Sequence, residues 1–264
     1  MFLVQLKSLQ VKKQWEGNNS LEIKFDENLI KNFVSNLSFT LTDAQRKATF
    51  EILKDLEKPK PMNRLLEGDV GSGKTVVAAM ATLQAISAGY QVALMAPTEV
   101  LARQHFENFC SLFGNYDFNV GLLTNSYRLL NCKNTKRTDL IDYISDGKID
   151  ILIGTHALIQ KDVKFKNLAL VIIDEQHRFG VAQRAFLQQE TMNMDDGSNK
   201  VIPHLLTMTA TPIPRTLAIA FFGSLDLSIL DEMPKNRKKI ITKIVPPAAR
   251  DNTYEFIKKE IVNG

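Results

Sequence analysis

Eight residues, GDVGSGKT (68–75), have the types and spacing of a phosphate cradle, G-x-x-x-x-G-K-[ST]. Glycine at 68, 71 and 73 opens backbone conformations closed to other residues, so that successive N–H groups can converge on phosphate oxygens. Lys74 brings a point charge to the β- and γ-phosphates. Thr75 brings a hydroxyl to Mg²⁺, and the helix it opens turns its positive end towards the anion. Ser72 lies in the same loop and counts, with Gly68, Gly71, Gly73, Lys74 and Thr75, among the nucleotide-binding candidates. Such a cradle needs a metal partner on another strand. The stretch LALVIIDEQHRFG (168–180) offers one, because its apolar run ends in Asp174 and Glu175. Asp174 suits a Mg²⁺ ligand, and Glu175 suits a group that orients or deprotonates an attacking water. Alone, an apolar run with two acids is equally a strand and a solvated turn. Joined to the cradle, it makes Lys74, Asp174 and Glu175 the candidate catalytic set. His177 belongs to no H-E-x-x-H pattern and has no cysteine nearby, which argues against zinc. A surface histidine and a polar relay both stay open for it.

These residues must be held by regular elements. LTDAQRKATFEILKDL (41–56) reads as a helix capped by Thr42 or Asp43, with Ala44, Ala48, Ile52 and Leu56 at helical spacing, and KPKP (58–61) ends it. Short apolar strands then alternate with helices. NRLLEGD precedes the cradle, KTVVAAMATLQAISAG follows it, and QVALMAP leads into EVLARQHFENFCSLFG. FNVGLLT, IDILIGT, LALVIIDE and HLLTMTAT are further strands. The expected fold class is α/β, with a central, mainly parallel sheet covered by helices on both faces. Ligands of such sheets bind at the carboxyl ends of the strands. The polar stretches GDVGSGKT, APT, GTH, DEQH and TAT all fall there. Residues 125–140 read as a basic loop carrying Arg128, Lys133, Lys136 and Arg137, and 191–203 as another loop. After residue 225 the composition becomes that of a linker, followed by a strand (IITKIV) and a helix (NTYEFIKKEIVNG).

Composition bounds the class. The 264 residues are 44% hydrophobic and 23% charged, ordinary for a globular protein. No apolar stretch reaches the roughly 18–20 residues of a membrane span, and the basic start lacks the apolar core of a signal peptide. Cys110 and Cys132 form no C-x-x-C pair, which excludes a disulfide framework and fits a reducing, cytoplasmic setting. The net charge of +4 is compatible with a nucleic-acid partner without demonstrating one.

DEQH (174–177) followed by RFGVAQR resembles motif II of superfamily 2 helicases, and more narrowly of the RecG family of branched-DNA helicases. GDVGSGKTVVA resembles their motif I, APTEVLARQH motif Ia, GTHALIQ motif Ib, MTATPIPRTLA motif III with its extension, and FTLTDAQRKA the Q motif. The likeness runs from about residue 39 to 245. The transcription-repair coupling translocases share TATPIPRT, but the histidine of DEQHRFG favours the RecG family. The resemblance implies a RecA-like P-loop NTPase fold that uses ATP and Mg²⁺, with Thr75 and Asp174 holding the metal. It implies that Gln45 reads the adenine edge with Phe39 near the base. Gln176 and His177 would couple the nucleotide to Thr209, Ala210 and Thr211. Thr98, Arg103, Thr155 and His156 of motifs Ia and Ib, and Arg128 or Arg137 of the basic segment, would touch DNA. Taken without the resemblance, Gln45 reads as a solvated helix glutamine, APTE as a capped helix, and the basic segment as solvated.

Three segments follow from the likeness: 1–38 as a helical connector behind a missing wedge domain, 39–225 as the first motor domain, and 226–264 as a linker with the start of a truncated second one. Motifs IV to VI, including an arginine finger worth roughly 10³–10⁵ in rate, are absent. The expected protein is a monomeric, cytoplasmic DNA helicase or translocase acting on branched or forked DNA, and this chain alone should turn ATP over poorly. A coupling-type translocase and a non-catalytic ATP- or DNA-binding fragment are the alternatives. The intact Lys74, Thr75, Asp174 and Glu175 argue against a degenerate copy.

Overall fold

The computed structural model describes residues 15–174, 201–211, 225–233 and 244–263, together with 6, 9, 10, 12, 13 and 242. Two compact units divide the chain, Met1–Pro234 and Lys235–Gly264. The first contains helices α1 (Glu27–Ser35), α2 (Asp43–Leu56), α3 (Lys74–Ser87), α4 (Glu99–Leu112) and α5 (Arg137–Ser145). Its strands are β1 (Asn63–Gly68), β2 (Gln91–Met95), β3 (Val120–Leu123), β4 (Arg128–Leu130), β5 (Lys133–Asn134), β6 (Ile151–Gly154), β7 (Leu168–Asp174), β8 (His204–Thr209) and β9 (Asp226–Leu230). The second unit carries α6 (Arg250–Asn263), on which Tyr254, Phe256 and Ile261 are exposed. No described helix is long and apolar enough to cross a membrane.

The described strands form one sheet in the order β5-β4-β3-β6-β2-β7-β8-β1-β9. Every pair from β3 to β9 is parallel, and only the β3–β4 and β4–β5 pairs are antiparallel. Burial explains why the strands read as unbroken apolar runs. Every residue of β2, β6, β7 and β8 is buried, as in a sheet covered on both faces. Alternate side chains feed two cores. Val92, Leu94, Leu170, Ile172 and Leu206 meet α1 to α4 through Phe33, Ile52, Val77 and Phe106. Ala93, Met95, Val171, Ile173 and Leu205 meet α5 through Leu140 and Ile144. Helix α3 is buried continuously from Val76 to Ile86, which is why its sequence is apolar all round.

Three expectations change. The basic segment is not a plain loop: β4 and β5 make an antiparallel hairpin on β3, with Asn131 and Cys132 at φ 45° and 65° in its turn. The Thr124 hydroxyl accepts from the N–H groups of Ser126 and Tyr127, which forms the preceding turn between β3 and β4. The motor unit also does not end at residue 225. Strand β9 pairs with β1, so the sheet retains the segment expected to begin the linker. Nor are the first 38 residues simply helical. Ahead of α1, residues 19–26 form an extended strap sewn to the amino ends of the strands. Ser20 N–H donates to the Pro59 carbonyl (2.9 Å), Ile23 N–H to the Leu56 carbonyl (2.9 Å), and Gln84 Nε2 to the Lys24 carbonyl (2.6 Å).

His204 closes this strap. Its ring is wholly buried; Nδ1 accepts from Met62 N–H (2.9 Å) and Nε2 donates to the Leu21 carbonyl (2.7 Å). Both bonds need the neutral ring, because a proton on Nδ1 would face another donor. Burial lowers its pKa from 6.5 to about 4. The unfolded state therefore holds more protons between those values, and stability is full above pH 6.5 and lost as pH falls towards 4. Urea unfolding at pH 7.5 and pH 5 should show a loss of about 2 kcal/mol attributable to this ring. His204→Gln should have a much flatter profile across the same window; an identical pH dependence in the variant would exclude His204 as its source.

Candidate active site

Strand β1 delivers the cradle at its carboxyl end. Gly71 and Gly73 have φ of 81° and 87°, the left-handed conformation that favours glycine. Gly73 is the N-cap of α3, and no side chain caps this helix, so its first N–H groups can serve an anion. Lys74 Nζ donates to the carbonyls of Gly68 (2.7 Å) and Asp69 (3.0 Å), bridging the loop from which it projects. Thr75 follows on the first turn of α3, half-buried like Lys74. Ser72 is fully buried, and its Oγ finds no hydrogen-bond partner among the described residues. A Cβ on Gly68 would lie 2.9 Å from Leu230 Cβ, so this glycine also lets β9 close on β1.

Gln45 packs against the cradle. It is 1% exposed, and its amide is committed at both ends. Oε1 accepts from Thr42 N–H (2.8 Å) while Thr42 Oγ1 accepts from Gln45 N–H (3.2 Å), a reciprocal capping box that starts α2. Nε2 donates to the Ser72 carbonyl (2.7 Å). The structure thus sets Gln45 beneath the cradle, while Phe39 stays 41% exposed. A Cβ at Gly73 would fall 2.2 Å from Gln45 Nε2, so the loop and the amide fit only with glycine there.

Helix α2 is held in place by groups that sequence reading missed. Arg64 on β1 donates Nε and Nη2 to Asp55 Oδ2 (2.8 and 2.6 Å), and Nη1 to Ser228 Oγ (2.8 Å) and Glu51 Oε2 (3.2 Å). At the other end of α2, Glu232 Oε2 accepts from the N–H groups of Asp43 (3.0 Å) and Ala44 (3.3 Å). Arg64 had only the look of a strand residue, and Glu232 that of a linker acid. Their partners are too distant in sequence to be read from local spacing.

Asp174 ends β7 and is buried, with its Oδ2 2.7 Å from His105 Nε2. It pairs in register with Met208, so Thr209 lies one residue beyond on the neighbouring strand. Thr209 is buried; its Oγ1 accepts from Thr211 N–H (3.2 Å) and lies 3.0 Å from Thr211 Oγ1, with Ala210 between them. The register therefore brings the acid-bearing strand end and the TAT strand end side by side. Glu175, Gln176 and His177 lie outside the described residues. No cluster of three His, Cys, Asp or Glu side chains suited to a metal occurs among the described residues. One carboxylate and one hydroxyl nevertheless match how Mg²⁺ is held when phosphate oxygens and water complete its shell.

The expected DNA contacts divide. Thr98 is exposed at the N-cap of α4, with Oγ1 accepting from Leu101 N–H (3.3 Å). Arg103 is exposed, bonded to Glu107 (2.9 Å) and 5.4 Å from the Tyr127 ring centroid. Arg128 is exposed and donates to the Asn125 carbonyl (3.1 Å). Glu99 accepts from Ser126 N–H (3.1 Å), which ties the 125–127 turn to the start of α4 and gathers these three candidates. That contact, led by the Ser126 side chain, holds the Glu99 carboxyl below its usual pKa. Two candidates fit poorly. Thr155 is buried, though His156 beside it is exposed, and Arg137 is engaged by Asp162 (2.9 Å) and Gln160.

A cradle on β1 and an acid on β7 of a parallel sheet define a P-loop helicase motor. The model of the DEAD/DEAH box helicase family matches residues 42–219, and the chain belongs to that family. More narrowly it is a RecG-family motor domain. It is 44% identical over 264 residues to the ATP-dependent DNA helicase RecG of Aquifex aeolicus, covering 100% of this chain and 32% of that one. It is 47% identical over 263 residues to RecG of Bacillus subtilis, covering 99% and 36%. A solved structure of RecG bound to a three-way DNA junction superposes with a TM-score of 0.83 at 42% identity, covering 100% of this chain and 34% of that one. The chain thus spans about a third of the length of these relatives.

The approach of Gln45 to Gly73 is testable as a pair. Gly73→Ala should destabilise the fold by about 1–3 kcal/mol through backbone strain and should weaken nucleotide binding. Combined with Gln45→Ala, the two losses should be non-additive by about 0.5 kcal/mol or more in a denaturation cycle. Strict additivity would show that the two groups do not touch.

Proposed function

We propose that this chain is the ATP-binding motor of an ATP-dependent helicase or translocase that acts on branched DNA. The observation that carries the reading is the cradle of Gly71, Gly73 and Lys74 on one strand end, with Asp174 on another end of the same sheet. The branched-DNA substrate is supported by the likeness to RecG, whose solved complex contains a three-way junction. The wedge and second motor domains, the cytoplasmic location, the monomeric state and the domain limits belong to the same proposal.

Lys74 leaves the carbonyls of Gly68 and Asp69 for the β- and γ-phosphates, exchanging two neutral acceptors for charged ones. Thr75 and Asp174 hold Mg²⁺, which neutralises charge on the phosphates when bound. Glu175, next in sequence, orients the water that attacks the γ-phosphate. Thr98, Arg103 and Arg128 form a cationic and hydroxyl-bearing surface fit for backbone phosphates, positioning DNA without reading its sequence. Phe39 packs near the base and Gln45, whose amide rests on the loop backbone before nucleotide enters, reads the adenine edge.

In the complete gene product, Lys74→Ala should abolish DNA-stimulated ATP hydrolysis. Glu175→Gln should retain ATP binding and lose turnover by at least about 10²-fold. Turnover should be stimulated more by forked than by linear duplex DNA. Undiminished hydrolysis in Lys74→Ala would refute the site, and equal stimulation by both DNAs would favour a duplex-tracking translocase.

A further inference from the structure

His105 sits where an apolar residue would be expected. It shares the buried face of α4 with Ala102, Phe106 and Phe109, and is 7% exposed. Among the described residues its ring makes one hydrogen bond, with Asp174 Oδ2 at 2.7 Å. A carboxylate oxygen accepts, so Nε2 carries the hydrogen of this bond. Nδ1 is buried without a hydrogen-bond partner among the described residues. An unsatisfied buried polar atom costs on the order of 1–3 kcal/mol, which leucine at this position would avoid. The imidazole is therefore poorly explained as filling. What it supplies is direction. Asp174 is the last residue of its strand, where the sheet ladder ends and side-chain bonds must orient the carboxylate. A short bond to Oδ2 from a helix fixed in the core sets the plane of that carboxylate.

We propose that His105 is a positioning residue for the metal-binding carboxylate of Asp174, holding Oδ2 so that the carboxylate faces the cation in one orientation. The proposal rests on the reading of Asp174 as a Mg²⁺ ligand. Groups that orient a metal ligand in this way typically matter by about 10–100-fold in metal affinity or activity. The histidine also makes α4 a strut. Thr98 at its N-cap and His105 are separated by seven residues, roughly 10 Å of helix.

The test is a Mg²⁺ titration of ATP hydrolysis in the complete gene product. His105→Leu should raise the Mg²⁺ concentration for half-maximal turnover by about tenfold or more. Binding of a fluorescent ATP analogue in EDTA should be preserved in the same variant. A purely structural residue would instead alter both, together with the melting temperature. His105→Gln should restore the Mg²⁺ curve to within about threefold, because its amide nitrogen reaches the place of Nε2. His105→Asn reaches only the place of Nδ1 and should stay defective, which keeps the comparison decisive if the leucine variant does not fold. A wild-type Mg²⁺ curve in His105→Leu, or equal defects in the Gln and Asn variants, would overturn the proposal. Lys74→Ala and Asp174→Asn serve as controls. If they abolish turnover while His105→Leu behaves as wild type, the positioning role alone fails. If they leave turnover intact, the reading of the site fails with it.

Discussion

Arg64 is the interaction on which the nucleotide end of the domain depends. Arg64 is 9% exposed, and a charge so buried is tolerated only when its donors are paired. Asp55 takes two of them, and Glu51 and Ser228 share a third nitrogen. The Arg64 carbonyl accepts from Thr207 Oγ1 (3.2 Å), which brings in β8. One residue thus joins α2, β1, β8 and β9. Buried ion pairs add little net stability, but separating their partners is costly. Such a network selects one placement of α2 over alternatives with similar apolar burial. That placement sets Gln45 under the cradle, and the cradle in turn requires glycine at 73. The geometry of the phosphate site is therefore decided partly by a charge cluster on the far half of α2.

The sequence was most legible where chemistry is contiguous. The cradle is eight successive residues, and each strand buried on both faces is an unbroken apolar run. Thr42 and Gln45 have the spacing of a capping box, and the structure forms one. Legibility fails where partners are remote or elements are marginal. DLSIL (226–230) has a mixed burial pattern, as befits an edge strand, and does not declare itself. The 128–134 hairpin is three residues paired with two, too short and too basic to stand out. The bond from the Gln45 amide to the Ser72 carbonyl joins residues 27 apart in sequence and is not read from local spacing. His105 was visible as the last letter of APTEVLARQH, but nothing nearby in the chain names Asp174 as its partner.

The two strand ends also differ in how they are prepared. At β1 the lysine already rests on loop carbonyls, so nucleotide binding there exchanges one set of acceptors for another. At β7 the carboxylate is braced from a helix whose other end is open to solvent. In the proposed function, the first arrangement would bear on how readily phosphate enters, and the second on how the strand-end acid meets what has entered.

The strap has a consequence for the order in which the molecule can be made. Ser20 and Leu21 bond to Ile202 and His204, partners 182 and 183 residues later in the chain. At a synthesis rate of about 5–20 residues per second, the strap waits roughly 10–40 s for those partners to be made. Its contacts with Leu56 and Pro59 become available far sooner. The segment can therefore settle on α2 first and be locked only when β8 is laid into the sheet, so that a stretch made well before the sheet is complete is fastened only as the sheet closes.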